Sequence, residues 1–275
     1  MKIAMHEITT RDGGFDDHLK AYAATGWRHF EINLWKAGET LERDGAAAVA
    51  RRVRDAGLTC VGATGHAFKA FGTPEERAKD LDAIRRCGET MQALGCSALV
   101  VGGDTPKDLD KSRYGEYLER YAEHLRSAAE AGRPYGVALC VEVNWTGLCR
   151  SFRTARKLVE RAADPNVGLV WDPAHFVSTP SRVEDLAACR GLFRHAHLND
   201  IREVCWEALN VNADRVIPGE GVLPLRAWTD AVSAAGYAGW HCVELFNEAL
   251  WREDLETICK RVMDGCRRVW PEAEF

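Results

Sequence analysis

Four side chains able to hold a cation stand at the ends of four separate apolar runs: Glu142, Asp172, His197 and Glu244. The runs are Val137-Ala138-Leu139-Cys140-Val141, Val167-Gly168-Leu169-Val170-Trp171, Phe193-Arg194-His195-Ala196 and Trp240-His241-Cys242-Val243. Each has the look of a short buried strand that ends in a polar group. Taken singly, a glutamate at a strand end is more often a surface charge or half of a salt bridge. Four candidate donors at the same point of four units, 30, 25 and 47 residues apart, form a pattern. A carboxylate after a run such as Gly-Leu-Val-Trp is costly to desolvate unless it is paired or bound to a cation. Three carboxylates and one imidazole brought together would hold one divalent ion and leave room for a substrate.

Other residues offer weaker readings. His175, in Asp172-Pro173-Ala174-His175-Phe176, either reaches a substrate oxygen or packs on Phe176, and its neighbours favour substrate. His195 is read as lying on the strand face opposite His197, in a structural role. Asp200 closes His197-Leu198-Asn199-Asp200 and either orients the imidazole from behind or caps the loop. His66, Glu7 and the segment Glu31-Ile32-Asn33-Leu34-Trp35 follow the first three strand runs. His66 is a candidate substrate contact, and Trp35 and Phe68 are candidate pocket walls, against plain rim packing. Arg202 and Arg215 are candidate contacts for a phosphate or sugar oxygen, and Glu220 for a sugar hydroxyl. His6, His18, His29, His124 and His241 have no such context and are expected to be surface or satisfied interior groups.

Strand-like runs are expected at 3–8, 28–33, 59–63, 98–101, 138–142, 168–171, 195–198 and 241–244. Helix-like segments are expected at 15–25, 46–56, 74–94, 114–131, 152–163, 183–190, 224–235 and 254–270. Thr73-Pro74-Glu75-Glu76 has the order of an N-cap, a proline at the first helical position and acids in the first turn. Gly26, Gly57, Gly95, Gly132 and Gly236 each follow a helical run, where a left-handed residue is expected. Eight strands alternating with eight helices predict a single (β/α)8 barrel over residues 1–275, with its site at the C-terminal mouth. An open doubly wound sheet would carry a glycine-rich phosphate turn after its first strand, and Arg11-Asp12-Gly13-Gly14 does not supply one. Residues 199–223 form a long loop with little helical periodicity after the seventh strand, expected to be a lid or a pocket wall.

Composition limits the partners. Apolar residues make up 46% and charged residues 28% of 275, enough for a large core in a globular enzyme. A net charge of −5 and a pI near 6.0 offer no basic face to a nucleic-acid backbone. No apolar stretch approaches the roughly 20 residues that cross a bilayer, so no membrane association is expected. The ten cysteines form no CxxC pair, and the opening Met1-Lys2-Ile3-Ala4-Met5 lacks a signal-peptide profile. Reduced thiols in a cytoplasmic protein are expected. Trp251 and Trp270 are candidates to cover a contact in a homo-oligomer.

Strands five to eight resemble the xylose isomerase-like barrels, in particular the sugar phosphate isomerase/epimerase group. The segments that carry the likeness are Asn166 to Phe176, His197-Leu198-Asn199-Asp200, Asp214-Arg215-Val216-Ile217-Pro218-Gly219-Glu220-Gly221 and Val243-Glu244-Leu245-Phe246. The last two occur together in inosose (keto-inositol) isomerases. The resemblance implies that Glu142, Asp172, His197 and Glu244 bind one divalent metal, manganese first, with cobalt, zinc or magnesium as alternatives, and that His175 touches substrate. It implies isomerisation or epimerisation of a keto-sugar, inosose or sugar phosphate through an enediolate, with Glu142 and Glu244 moving the proton. Loss of a β-hydroxyl from the same enediolate would make the protein a dehydratase, and a barrel that only binds sugar or serves a larger complex is a further alternative. Endonuclease IV-type DNA repair enzymes share the barrel and the HLND segment but hold three metals on further histidines. Asp104 and Val216 stand at those places here, so a trinuclear site does not assemble.

Overall fold

Eight short parallel strands close into a barrel: β1 (Lys2–His6), β2 (His29–Asn33), β3 (Thr59–Thr64), β4 (Ala98–Gly102), β5 (Ala138–Glu142), β6 (Val167–Trp171), β7 (Phe193–Leu198) and β8 (Trp240–Val243). Each pairs with its neighbours in sequence, and β1 pairs with β8 to complete the ring, with Met5 opposite Val243. The computed structural model describes residues 1–275. The helices are α1 (Phe15–Thr25), α2 (Gly38–Asp44), α3 (Ala46–Asp55), α4 (Pro74–Leu94), α5 (Tyr114–Gly132), α6 (Phe152–Ala162), α7 (Pro173–Val177), α8 (Val183–Ala188), α9 (Leu225–Ala234) and α10 (Leu255–Val269). None is long and apolar enough to cross a membrane.

Local chemistry sets the boundaries. At α4, Thr73 Oγ1 accepts from the Glu76 N–H while the Glu76 carboxylate accepts from the Thr73 N–H, a reciprocal capping box. Gly26 and Gly95 close α1 and α4 in the left-handed conformation, as expected. Gly132 does not: it stays helical, and a 3-10 turn at Arg133–Tyr135 carries the chain on to Gly136, which takes the left-handed position at φ 73°.

Most of the apolar mass lies in two layers, with a small third cluster of Ala174, Ile201 and Val211. The larger fills the space between strands and helices, with Leu99, Leu139, Leu169 and Leu198 facing Met91, Leu125 and Leu158. The smaller lies inside the ring and consists of Ala98, Val100, Cys140 and Val170. Trp251 and Trp270 belong to the interior. Both are buried, and their indole N–H groups donate to the Ile8 carbonyl and Thr229 Oγ1. They are unavailable for a subunit contact.

Because strand side chains alternate between faces, interior positions stack two residues apart. Cys140 lies beneath Glu142, Val170 beneath Asp172, His195 beneath His197 and Cys242 beneath Glu244. The upper layer opens at the C-terminal mouth.

Candidate metal centre

Donor atoms of Glu142, Asp172, His197 and Glu244 lie within 4.8 Å of one another. Nδ1 of His197 is 3.1 Å from Glu142 Oε1, 3.3 Å from Glu244 Oε2 and 3.8 Å from Asp172 Oδ2. Burial alone would depress that imidazole, yet the carboxylates of Glu244 and Glu31 hold it well above the usual histidine range. Burial likewise opposes ionisation of Asp172, and Arg215, His175 and His197 overcome it, drawing the carboxyl down to about 2. Glu142 is shifted down for the same reason, by His175 and His197.

Neighbours fix these groups. Asp172 caps α7: its Oδ1 accepts from the His175 N–H at 2.9 Å, and its Oδ2 accepts from Asn199 Nδ2 at 3.0 Å. Asn199 Oδ1 in turn accepts from the Ala174 N–H. The wholly buried Arg215 donates to Glu244 Oε2 at 2.5 Å, lies 3.2 Å from Asp172 Oδ2, and places Nη2 3.2 Å from His175 Nε2. A guanidinium only donates, so His175 accepts at Nε2 and carries its proton on Nδ1, which has no partner.

Arg215 reaches the site because of how the long loop folds. Asp200–Ile201 and Arg215–Val216 form a two-residue antiparallel ribbon. Asp200 accepts backbone N–H groups from Ile201, Gly219, Gly221 and Leu223. A Cβ at Gly221 would stand 2.3 Å from the Ile201 carbonyl, so only glycine lets the chain lie that close. Asp200 therefore caps the loop and does not orient the imidazole.

Several expected contacts lie elsewhere. His66 Nε2 is held 2.7 Å from Asp80, which also takes His124 at 2.6 Å. Phe68 packs on Tyr121 and His124 between α4 and α5. Arg202 pairs with Asp214 through its Nε at 2.7 Å. Glu220 faces Arg261 and Arg268 of α10, each at 3.5 Å, on the outer layer. Glu7 is tied to His18 and to the Asn33 N–H. Trp35 is 82% exposed, on the loop after β2. A polar depression of about 640 Å³ between α4 and α5, lined by Arg77, Arg120 and His124, contains none of the converging carboxylates.

His195 corrects the strand reading: residues two apart share a face, so it points into the barrel with His197 and meets Glu31 Oε2 at 2.8 Å. His6, expected as a surface or satisfied interior group, is an interior one that borders the site. It is fully buried, and its Nδ1 accepts from the Ile8 N–H, which leaves the proton on Nε2. That nitrogen lies 2.8 Å from Thr64 Oγ1 and 3.6 Å from Glu244 Oε1. The available signal was its place at the end of β1, equivalent to Glu142 in β5.

The donor set suits a divalent cation. Three carboxylates converge on one imidazole and one guanidinium, three of the four donors buried, and the His175 Nδ1 donor beside them is unused.

The family model of the xylose isomerase-like TIM barrel matches residues 19–261, and the chain belongs to that family. An inosose isomerase of Bacillus velezensis is 26% identical over 98% of this chain and 97% of its own length. A 3-dehydroshikimate dehydratase of Pseudomonas aeruginosa is 28% identical over 86% of this chain, which matches 37% of that longer relative. Among solved structures, an IolI protein with a bound zinc atom superposes with a TM-score of 0.89 over 98% of both chains at 22% identity.

Proposed function

We propose that this chain is a divalent-metal-dependent isomerase or epimerase acting on a keto-sugar, an inosose or a sugar phosphate. The observation that carries the reading is the convergence of Glu142, Asp172, His197 and Glu244 within 4.8 Å at the mouth of the barrel. The near full-length likeness to an inosose isomerase supports the substrate class. The four residues would hold the cation; manganese is the first choice for an oxygen-rich set, and zinc is the ion named for the IolI neighbour. A bound cation would supply Lewis acidity, which makes the C–H on the carbon beside the substrate's carbonyl easier to deprotonate.

The chain's own groups divide the remaining work. Glu142 and Glu244 move the proton. Each keeps one loosely held oxygen: Glu142 Oε2 has His175 at 3.7 Å and Glu244 Oε1 has His6 at 3.6 Å, while His197 lies 3.1 Å from Glu142 Oε1 and Arg215 engages Glu244 Oε2. Proton return to the neighbouring carbon isomerises the substrate, and return to the opposite face epimerises it. His175 offers its unused Nδ1–H to a substrate oxygen, and Arg215 orients His175. The cysteines are all free thiols, which supports a reducing compartment such as the cytoplasm.

The test is incubation with keto-inositols and ketoses in D2O, with the deuterium located by NMR. Exchange should stop after EDTA treatment and return with one added metal. Glu142→Gln should lower exchange at least 100-fold while metal content persists; unchanged turnover removes Glu142 from this role. The dehydratase relative supports a second reading, loss of water from the same substrate class, which the product spectrum separates from isomerisation.

A further inference from the structure

Beneath the converging donors lies a buried layer that the proton transfer above does not use. Its centre is Glu31 of β2, wholly enclosed. Glu31 Oε2 is 2.8 Å from His195 Nε2 and 3.4 Å from Nε2 of His197. His197 thus stands between two sets of carboxylates, with Nδ1 turned to Glu142, Glu244 and Asp172 and Nε2 turned to Glu31. Its ring plane is held on two sides. The His6 and His195 rings each meet it edge-on, with centroids 5.5 Å away and interplanar angles of 84° and 88°.

A neutral imidazole has one lone pair and one N–H. For Nδ1 to give its lone pair to a cation, Nε2 must keep the proton, and a buried N–H needs an acceptor. His197 Nε2 and Glu31 Oε1 are both buried without a hydrogen-bond partner, although the two side chains approach to 3.4 Å. A carboxylate has lone pairs on both oxygens, so Glu31 can accept from His195 and His197 together. Glu31 is itself anchored: His195 holds one oxygen, and Cys242 belongs to the same group of polar side chains within 4.8 Å. A side chain at position 62 would fill this space, since a Cβ there would stand 2.8 Å from the His195 ring.

We propose that Glu31 is a positioning residue for the metal centre, holding the His197 proton on Nε2 so that the Nδ1 lone pair faces the cation. This inference rests on the metal reading given above and not on the reaction.

The test uses the metal alone. Affinities for Co2+ and Zn2+ are measured by competition with a chromophoric chelator, and the Co2+ absorption bands report the coordination. Glu31→Gln keeps an acceptor oxygen and loses the charge; Glu31→Leu loses both. Loss of an outer partner of a ligating histidine weakens metal binding about 10–100-fold, so the Gln variant should lie near the low end and the Leu variant near the high end, with altered Co2+ bands. Leu158→Ala, a buried position in α6, is the stability control: its unfolding midpoint should fall while affinity and spectrum stay native. In zinc-loaded wild type, long-range 1H–15N spectra should show the His197 ring proton on Nε2, a measurement that needs no variant. A proton on Nδ1, or wild-type affinity in folded Glu31→Leu, overturns the inference alone. Failure of the wild type to bind either ion overturns the metal reading and this inference with it.

Discussion

Arg215 shows how one residue links site, loop and stability. Its guanidinium is fully buried and lies between Glu244, Asp172 and His175. Without it, two carboxylates in a low-dielectric enclosure lose their nearest permanent cation. Removing one partner of such a buried pair costs about 3–5 kcal/mol, so Arg215→Met should lower the metal-free unfolding free energy by that amount in chemical denaturation. A divalent ion added to this variant should restore more stability than it adds to wild type, because it relieves a larger repulsion. Equal gains in both would remove Arg215 from this electrostatic role. Arginine at this place was legible only as a candidate oxygen contact, since nothing local to Asp214-Arg215-Val216 reveals that the side chain is enclosed. The four converging donors were legible because each ends an apolar run. Glu31 was not: its partners His195 and His197 lie more than 160 residues away in β7, and only the closed ring brings β2 and β7 side chains to one axis. His195 was legible in principle, because alternation in β7 places it with His197.

At the scale of elements, the loop between β7 and α9 behaves as a folded piece hung on Asp200. Four backbone N–H groups end on that one carboxylate. Asp200→Asn keeps the Oδ1 acceptor for Ile201 and Leu223 but turns an amide N–H2 toward Gly219 and Gly221. Two donors then face donors, at a cost of about 1–3 kcal/mol each. Amide hydrogen exchange at Gly219 and Gly221 should accelerate at least tenfold, with the barrel strands unaffected; unchanged protection there would show that the ribbon, and not Asp200, holds the loop. The eight strands and eight principal helices were legible from apolar runs, the Thr73 cap and the glycines that follow helices. The ribbon was not, because a strand of two residues has no periodicity to detect and its pairing is set by Asp200 and Gly221. The helices α2 and α7 escaped as well: α2 buries no residue and so carries no apolar stripe, and α7 has only five residues. The short α7 is started by a side chain, Asp172, whose role in the cluster hides its role as a cap.

At the scale of the whole molecule, pH should act through a charged group remote from the metal centre. Asp80 of α4 takes His66 from the loop after β3 and His124 from α5, and so ties three consecutive layers of the barrel wall together. Burial would push the Asp80 carboxyl up, but the hydrogen bonds from His124 and His66 draw it down to about 2. Burial would push His66 down, but Asp80 and Cys87 raise it to about 9. The two shifts act at opposite ends of the pH scale. The depressed carboxyl adds stability above its unfolded value of 3.8, and this is lost as pH falls toward about 2. The raised imidazole adds stability below its unfolded value of 6.5, and this is lost as pH rises toward about 9. Asp80→Asn removes the centre of both pairs and should cost about 3 kcal/mol near pH 6. The gap between wild type and variant should narrow between pH 6.5 and 9 and again below 3.8. Urea midpoints taken across that range, in EDTA so that metal binding does not contribute, measure the gap directly. A gap that stays constant from pH 5 to 9 would show that Asp80 holds neutral histidines and that its charge contributes nothing. If the gap closes on both sides, the wall between α4 and α5 is held by ionic pairing, independently of the chemistry at the mouth.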